Sequence, residues 1–278
     1  MTATLQILLE RVFDPLSLVK IGVAVAMVVG LSVLAEKVST RVAGLLSGYP
    51  LGAAISLFFM GYEIDPGFAG QSAVYTVFGL IGTLAFVMGY QLTIRLVGGR
   101  AGLFAAGGST LGGVAAYFGV ASLLRYLPAR LPVAVMATSA AILICTAIFR
   151  RLKNVRIQQA LRLSPAVLIL RALFAAGVII LITASARLVG PGWAGLLSAF
   201  PITMLPFVFI IHVSYRTEHV QAILKNVPRG LGAIVVYGTV VALTYPKFGV
   251  WLGTLAGYAA ATVYLIVLHI PFFRKTAR

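Results

Sequence analysis

Long apolar stretches recur along this chain from one end to the other, each closed by a short polar or basic interruption. Crossing about 30 Å of hydrocarbon takes roughly 20 apolar residues in a helix. Nine stretches approach that length, at about 17–35, 42–62, 70–94, 101–124, 131–149, 166–186, 193–213, 228–245 and 248–270. The eighth is the least apolar. Its pattern predicts an earlier, amphipathic start near Thr217, with Lys225 and Arg229 close to the interface. Ahead of the first stretch, Leu5, Ile7, Leu8, Leu9, Val12 and Phe13 are mixed with Glu10 and Asp14, and no basic run precedes them. That pattern predicts a short interfacial helix rather than a cleaved signal peptide.

The stretches repeat. Ala43-Gly44-Leu45-Leu46-Ser47-Gly48-Tyr49-Pro50 returns as Ala194-Gly195-Leu196-Leu197-Ser198-Ala199-Phe200-Pro201, an offset of 151 at which Lys20 falls on Arg171 and Phe58 on Phe209. Further on, the segment from Gly108 through Gly112 aligns with that from Gly253 through Gly257, at an offset of 145. Spans one to four then form one unit and spans six to nine a second, with span five unpaired. An odd number of crossings separates each helix from its copy, so the copies insert in opposite orientations, a design common in transporters and some channels. The predicted fold is an all-α integral membrane protein, a 4+1+4 inverted-topology repeat. Its parts are an amino-terminal interfacial segment over 1–16, a first unit over 17–125, a linker helix with a basic cytoplasmic loop over 126–164, and a second unit over 165–278.

Composition agrees with this picture and charge orients it. Of 278 residues, 60% are hydrophobic and 10% charged, where a soluble domain carries about 25% charged residues; the mean hydropathy is +1.03. Lys and Arg number five on the amino-terminal side (Arg11, Arg125, Arg130, Arg187, Lys247) and fifteen on the other, with Lys20 and Arg171 inside spans. The positive-inside bias puts the second side in the cytoplasm, the amino terminus outside and the carboxyl terminus inside. In a bacterial cell this is a multi-pass inner-membrane protein. The net charge of +16 is then a topology signal and not a nucleic-acid footprint, since basic and aromatic residues are not interleaved on a polar surface. The basic run from Arg150 to Arg156 can also attract anionic headgroups, so the bilayer and its anionic lipids are the expected partners.

At the second copy a family becomes nameable. Ala194-Gly195-Leu196, Phe200-Pro201, Ile211-His212 and the charged loop Arg216-Thr217-Glu218-His219 resemble the GlpM-like family of small bacterial inner-membrane proteins, whose members are similar to one four-helix unit. The resemblance covers about 50 residues. The first unit departs from it, with Tyr49 as the aromatic before proline and Gly61 where the histidine would stand. It implies a small unit duplicated and fused, and it brings no activity, cofactor or catalytic residue with it.

Candidate chemistry is sparse. In inverted repeats the site lies near the midplane, where helices break, and the Ser-x-aromatic-Pro elements are the natural breaks. Pro50 and Pro201 each lack an amide donor and displace the carbonyl four residues back, at Leu46 and Leu197. Ser47 and Ser198 would offer hydroxyls there, and Tyr49 and Phe200 ring faces, the two prolines facing each other across the midplane. The alternative is a packing kink without a ligand. Lys20 and Arg171 form a second candidate pair: facing inward they favour an anionic substrate or lipid phosphate, while near a span's start they can instead reach the headgroups. His212 can titrate, or serve as a hydrogen-bonded packing residue.

All six carboxylates (Glu10, Asp14, Glu36, Glu63, Asp65 and Glu218) stand at or near span ends, which argues against proton-driven cation export. No HExxH, P-loop, Ser/His/Asp set or His/Asp metal cluster is visible, and Cys145 is alone. No enzyme, cofactor or metal is expected. Gly98–Gly102, Gly108–Gly112 and Gly253–Gly257 read as packing seams between helices or protomers. The leading expectation is a transporter or lipid-translocating protein for a small anionic or anionic-headed substrate. A non-transporting assembly or regulatory subunit and a passive ion channel are the alternatives.

Overall fold

The computed structural model describes residues 15–36, 49–99, 101–150, 165–215 and 217–273, with side chains at 28, 31–36, 165–167 and 268–273 left aside. Among the described residues the regular structure is helical, without strands: α1 Pro15–Glu36, α2 Leu51–Glu63, α3 Pro66–Leu96, α4 Leu103–Leu124, α5 Leu131–Phe149, α6 Pro165–Ser198, α7 Met204–Ser214 and α8 Thr217–Phe273. Among the described residues, five helices are long and apolar enough to cross a membrane: Pro66–Leu96, Leu103–Leu124, Leu131–Phe149, Leu168–Ser198 and Thr217–Val267. The chain is an all-α, multi-pass membrane protein.

Local chemistry sets the ends of these helices. Asp65 caps α3, its carboxylate accepting from the Phe68 amide at 2.7 Å, and Pro66 supplies the preset φ of a first helical residue. Within α8, Gly249 stands at φ 78°, ψ 176°, a conformation only glycine adopts without strain. There the chain doubles back, so Gly253 and Gly257 close against Tyr245 and Tyr237 of the same element. Gly190 breaks α6 in the same way, at φ 75°, ψ 170°.

These breaks account for the difference between nine predicted spans and the eight elements observed among the described residues. The two stretches expected at 228–245 and 248–270 run into one element that turns at Gly249, and its start at Thr217 is where the pattern put it. The stretch expected at 193–213 is cut between Ser198 and Met204. The one expected at 42–62 is described only from Tyr49 onward, and its helix begins at Leu51. Of the Gly-x-x-x-Gly pairs, Gly112, Gly253 and Gly257 pack within the chain, whereas Gly98 and Gly102 belong to the α3–α4 turn and face open space.

α3 is the hub, touching α2, α4, α5, α6 and α8. Thr138 pins α5 to it, donating to the Val77 carbonyl at 2.8 Å. Two apolar cores form, one built on α3, α4, α5, α7 and the start of α8, the other on α1, α2, α6 and the middle of α8; Phe200 borders both. Polarity runs inside out. Lys20, Ser56, Thr76, Thr83, Gln91 and His212 are buried, while Phe104 (95% exposed), Leu111, Leu123, Leu143 and Leu255 project outward. Only a hydrocarbon solvent makes that arrangement favourable.

Candidate functional site

From the aromatic residue onward, the two proline elements share the same pair of backbone hydrogen bonds. In the second, the chain leaves α6 through a tight turn in which Phe200 N–H donates to Leu197 C=O at 3.0 Å and Ile202 N–H to Phe200 C=O at 2.7 Å. Helix α7 then starts with Leu205 N–H on Pro201 C=O at 2.9 Å. In the first, Leu51 N–H donates to Tyr49 C=O at 2.7 Å and Ala54 N–H to Pro50 C=O at 2.8 Å. Proline cannot donate, so at both places the aromatic carbonyl before it is taken up by the residue after it. Neither α2 nor α7 has a side-chain cap.

These elements meet. A cavity of about 30 Å³ lies between them, lined by Tyr49, Gly52 and Ala53 on one side and Ser198 through Met204 on the other. Thr83 of α3 and Leu231 and Ile234 of α8 close it. Its volume suits about one water molecule. Contact is close, since a Cβ added to Gly52 would stand 3.4 Å from Ile202. The rings point away from each other. Tyr49 stacks on Tyr258 (5.9 Å between centroids) and pairs its hydroxyl with Thr262 at 3.0 Å, while Phe200 packs edge-on against Tyr117 at 5.0 Å.

Four of the expected site residues, Tyr49, Ser198, Phe200 and Pro201, therefore line one cavity, and Pro50 is buried beside Tyr49. Ser47 lies outside the described residues. The expectation of a displaced carbonyl at Leu197 is corrected: the Phe200 amide satisfies it. The carbonyls near this break that take hydroxyl partners from other helices are Gly195, Leu196 and Ala199. Thr76 donates to Gly195 (3.0 Å), Tyr117 to Leu196 and Thr83 to Ala199 (2.6 Å). Ser198 donates within its own helix to Ala194 at 2.8 Å, leaving its oxygen lone pairs to the cavity. Sequence reasoning missed Thr76 and Thr83, although Ser72, Thr76 and Thr83 make a polar stripe at helical spacing on α3.

No family model, curated protein or solved structure matches this chain.

The remaining expected residues lie apart from the cavity. Lys20 turns inward: it is 2% exposed, its ammonium 2.6 Å from Glu63, 2.8 Å from the Thr183 hydroxyl and 5.5 Å from the Phe59 ring. Arg171 is buried as well, its guanidinium 4.8 Å over Phe207. Lys20 meets α6 at Thr183, and Arg171 stands twelve residues earlier, so about 18 Å of helix separates the two positions. They are not one binding pair. His212 is buried at the end of α7, bonded to the Tyr90 hydroxyl at 2.9 Å, with its carbonyl accepting from Gly102 N–H.

Three helix ends meet at the cavity, and the carboxyl-terminal end of α6 at Ser198 brings a partial negative charge to it. The amino-terminal ends of α2 and α7 border it, and each carries a partial positive charge. Among the described residues there is no cluster of three or more His, Cys, Asp or Glu side chains able to hold a metal ion.

Proposed function

We propose that this protein is a membrane transporter or lipid-translocating protein for a small anionic or anionic-headed substrate, with its site at the interface of two inverted units. The observation that carries the reading is the meeting of two proline elements at one cavity, each offering the uncapped amino-terminal end of a short helix. Helices that break at mid-depth and aim their amino-terminal ends at an anion are a recurrent transporter device. Helices α2 and α7, of 13 and 11 residues, reach about 20 and 16 Å. Neither spans 30 Å by itself, as half-helices should not.

The inverted repeat is supported by element boundaries that lie outside the repeated motifs. Adding 151 to Glu63, the end of α2, gives Ser214, the end of α7. The same offset carries Pro66, the start of α3, onto Thr217, the start of α8, and Gly98 at φ 71° onto Gly249 at φ 78°. Ring packing crosses between the units in both directions: Phe200 lies on α4 of the first unit, and Tyr49 on the second stretch of α8. In this reading two GlpM-like units are fused, with α5 restoring the inversion.

Flux in reconstituted vesicles tests the site, using inorganic phosphate and fluorescent phosphatidylglycerol as separate probes. Thr83→Val with Ser198→Ala should slow the transported probe at least about tenfold. Wild-type rates for that variant would sink the site assignment, and no flux of either probe in the wild type would sink the anionic reading.

A further inference from the structure

A second hollow, about 460 Å³, opens on the outside of the bundle between α1, α2 and the second stretch of α8. We propose that it binds one acyl chain of an anionic phospholipid, with the headgroup at Arg187 and Lys247 and the chain end against Tyr258.

The lining selects hydrocarbon. Its residues are aliphatic or aromatic except Thr254, whose hydroxyl donates to the Val250 carbonyl at 2.7 Å. Length selects a single chain in a single leaflet. The groove follows α1 from Leu16 to Met27, eleven residues or about 16 Å, against roughly 15 Å for half of a 30 Å hydrocarbon core.

One end is dressed for an interface. Tyr62 and Trp251, 56% and 66% exposed, stand at the mouth as amphipathic rings do at headgroup depth. Arg187, exposed, donates to the carbonyl of Glu63, the neighbour of Tyr62. Gly61 packs against Val250, which brings the turn at Gly249 and the exposed Lys247 to the same end. Among the described residues two carboxylates stand at that end: Glu63 pairs with Lys20, and exposed Asp65 accepts from the Phe68 amide. Lys20 offsets Glu63, so Arg187 and Lys247 against Asp65 leave one net positive charge at this end among the described residues, which favours an anionic headgroup over a zwitterionic one. At the other end Tyr258 stacks on Tyr49, so one ring pair divides the groove from the central cavity. The inference rests on the proposed function only in giving the chain end a destination.

Bromolipid quenching of Trp251 tests it. The chain has two tryptophans, and Trp193→Phe leaves Trp251 as the reporter in the full-length protein. In mixed vesicles, phosphatidylglycerol with brominated chains should quench Trp251 at a several-fold lower mole fraction than brominated phosphatidylcholine. Arg187→Gln with Lys247→Gln should abolish that preference, and Lys247→Gln alone, which spares the bond to Glu63, should reduce it. Val23→Phe, which fills the groove, should weaken quenching by phosphatidylglycerol. Equal quenching by the two lipids in the parent, or a preference untouched by neutralising both cations, overturns the proposal. So does a Trp251 that neither lipid reaches, as when another copy of the chain covers the groove. Because the readout is binding, a retained preference without flux overturns the transport reading and leaves the groove assignment standing.

Discussion

Lys20 illustrates how a single charge is tolerated in this interior. An ammonium buried to 2% exposure persists because Glu63 lies 2.6 Å away and Thr183 offers an acceptor. Removing one partner from a buried pair costs about 3–5 kcal/mol, whereas replacing both with neutral groups of similar volume is often harmless. Glu63 is 24% exposed, which moves its contribution toward the low end. Glu63→Ala should therefore lose about 3 kcal/mol, while Lys20→Met with Glu63→Gln should stay within about 1 kcal/mol of the parent. Thermal unfolding in mild detergent measures both, and a double variant as unstable as the sum of the singles would refute the coupling.

At the scale of elements, glycine and proline divide the labour. Pro201 follows the end of α6 at the cavity, Pro50 stands at the start of α2, and Gly249 reverses the chain. A Cβ at Gly249 would touch nothing within 4 Å, so the cost of Gly249→Ala is the backbone strain of φ 78°, ψ 176° alone, about 1–3 kcal/mol. Gly22, within α1, also has open space around it. There the same substitution replaces a poor helix former with the best one and should gain about 0.5–1 kcal/mol. Unfolding midpoints moving in opposite directions for the two variants would bear out this account; equal shifts would refute it.

For the whole molecule, insertion direction is the property to measure. The fifteen-to-five bias of Lys and Arg predicts a cytoplasmic carboxyl terminus. A carboxyl-terminal reporter active only outside the cytoplasm should be silent, and one placed in the Gly249 turn should be active. A bright terminal reporter would reverse the orientation and move the headgroup proposed at Arg187 and Lys247 to the other leaflet.

Much of the architecture was legible in the residues because the physics behind it is local. About 20 apolar residues make a helix in lipid, a proline without an N–H breaks it, and of the two breaks expected at the Ser-x-aromatic-Pro elements the second stands between Ser198 and Met204. The start of α8 at Thr217 was readable in the same way. What only the tertiary structure decided is which side chains meet: Lys20 with Glu63, Thr83 and Tyr117 with carbonyls at the end of α6, Tyr49 with Tyr258 and Phe200 with Tyr117. The reason is physical. Helices apolar on every side carry no amphipathic stripe to mark the inner face, so the inward or outward turn of Lys20 stayed open until the crossing of α1 over α6 chose it. Sequence placed the proline elements along the chain; packing against α3 brought them to one cavity.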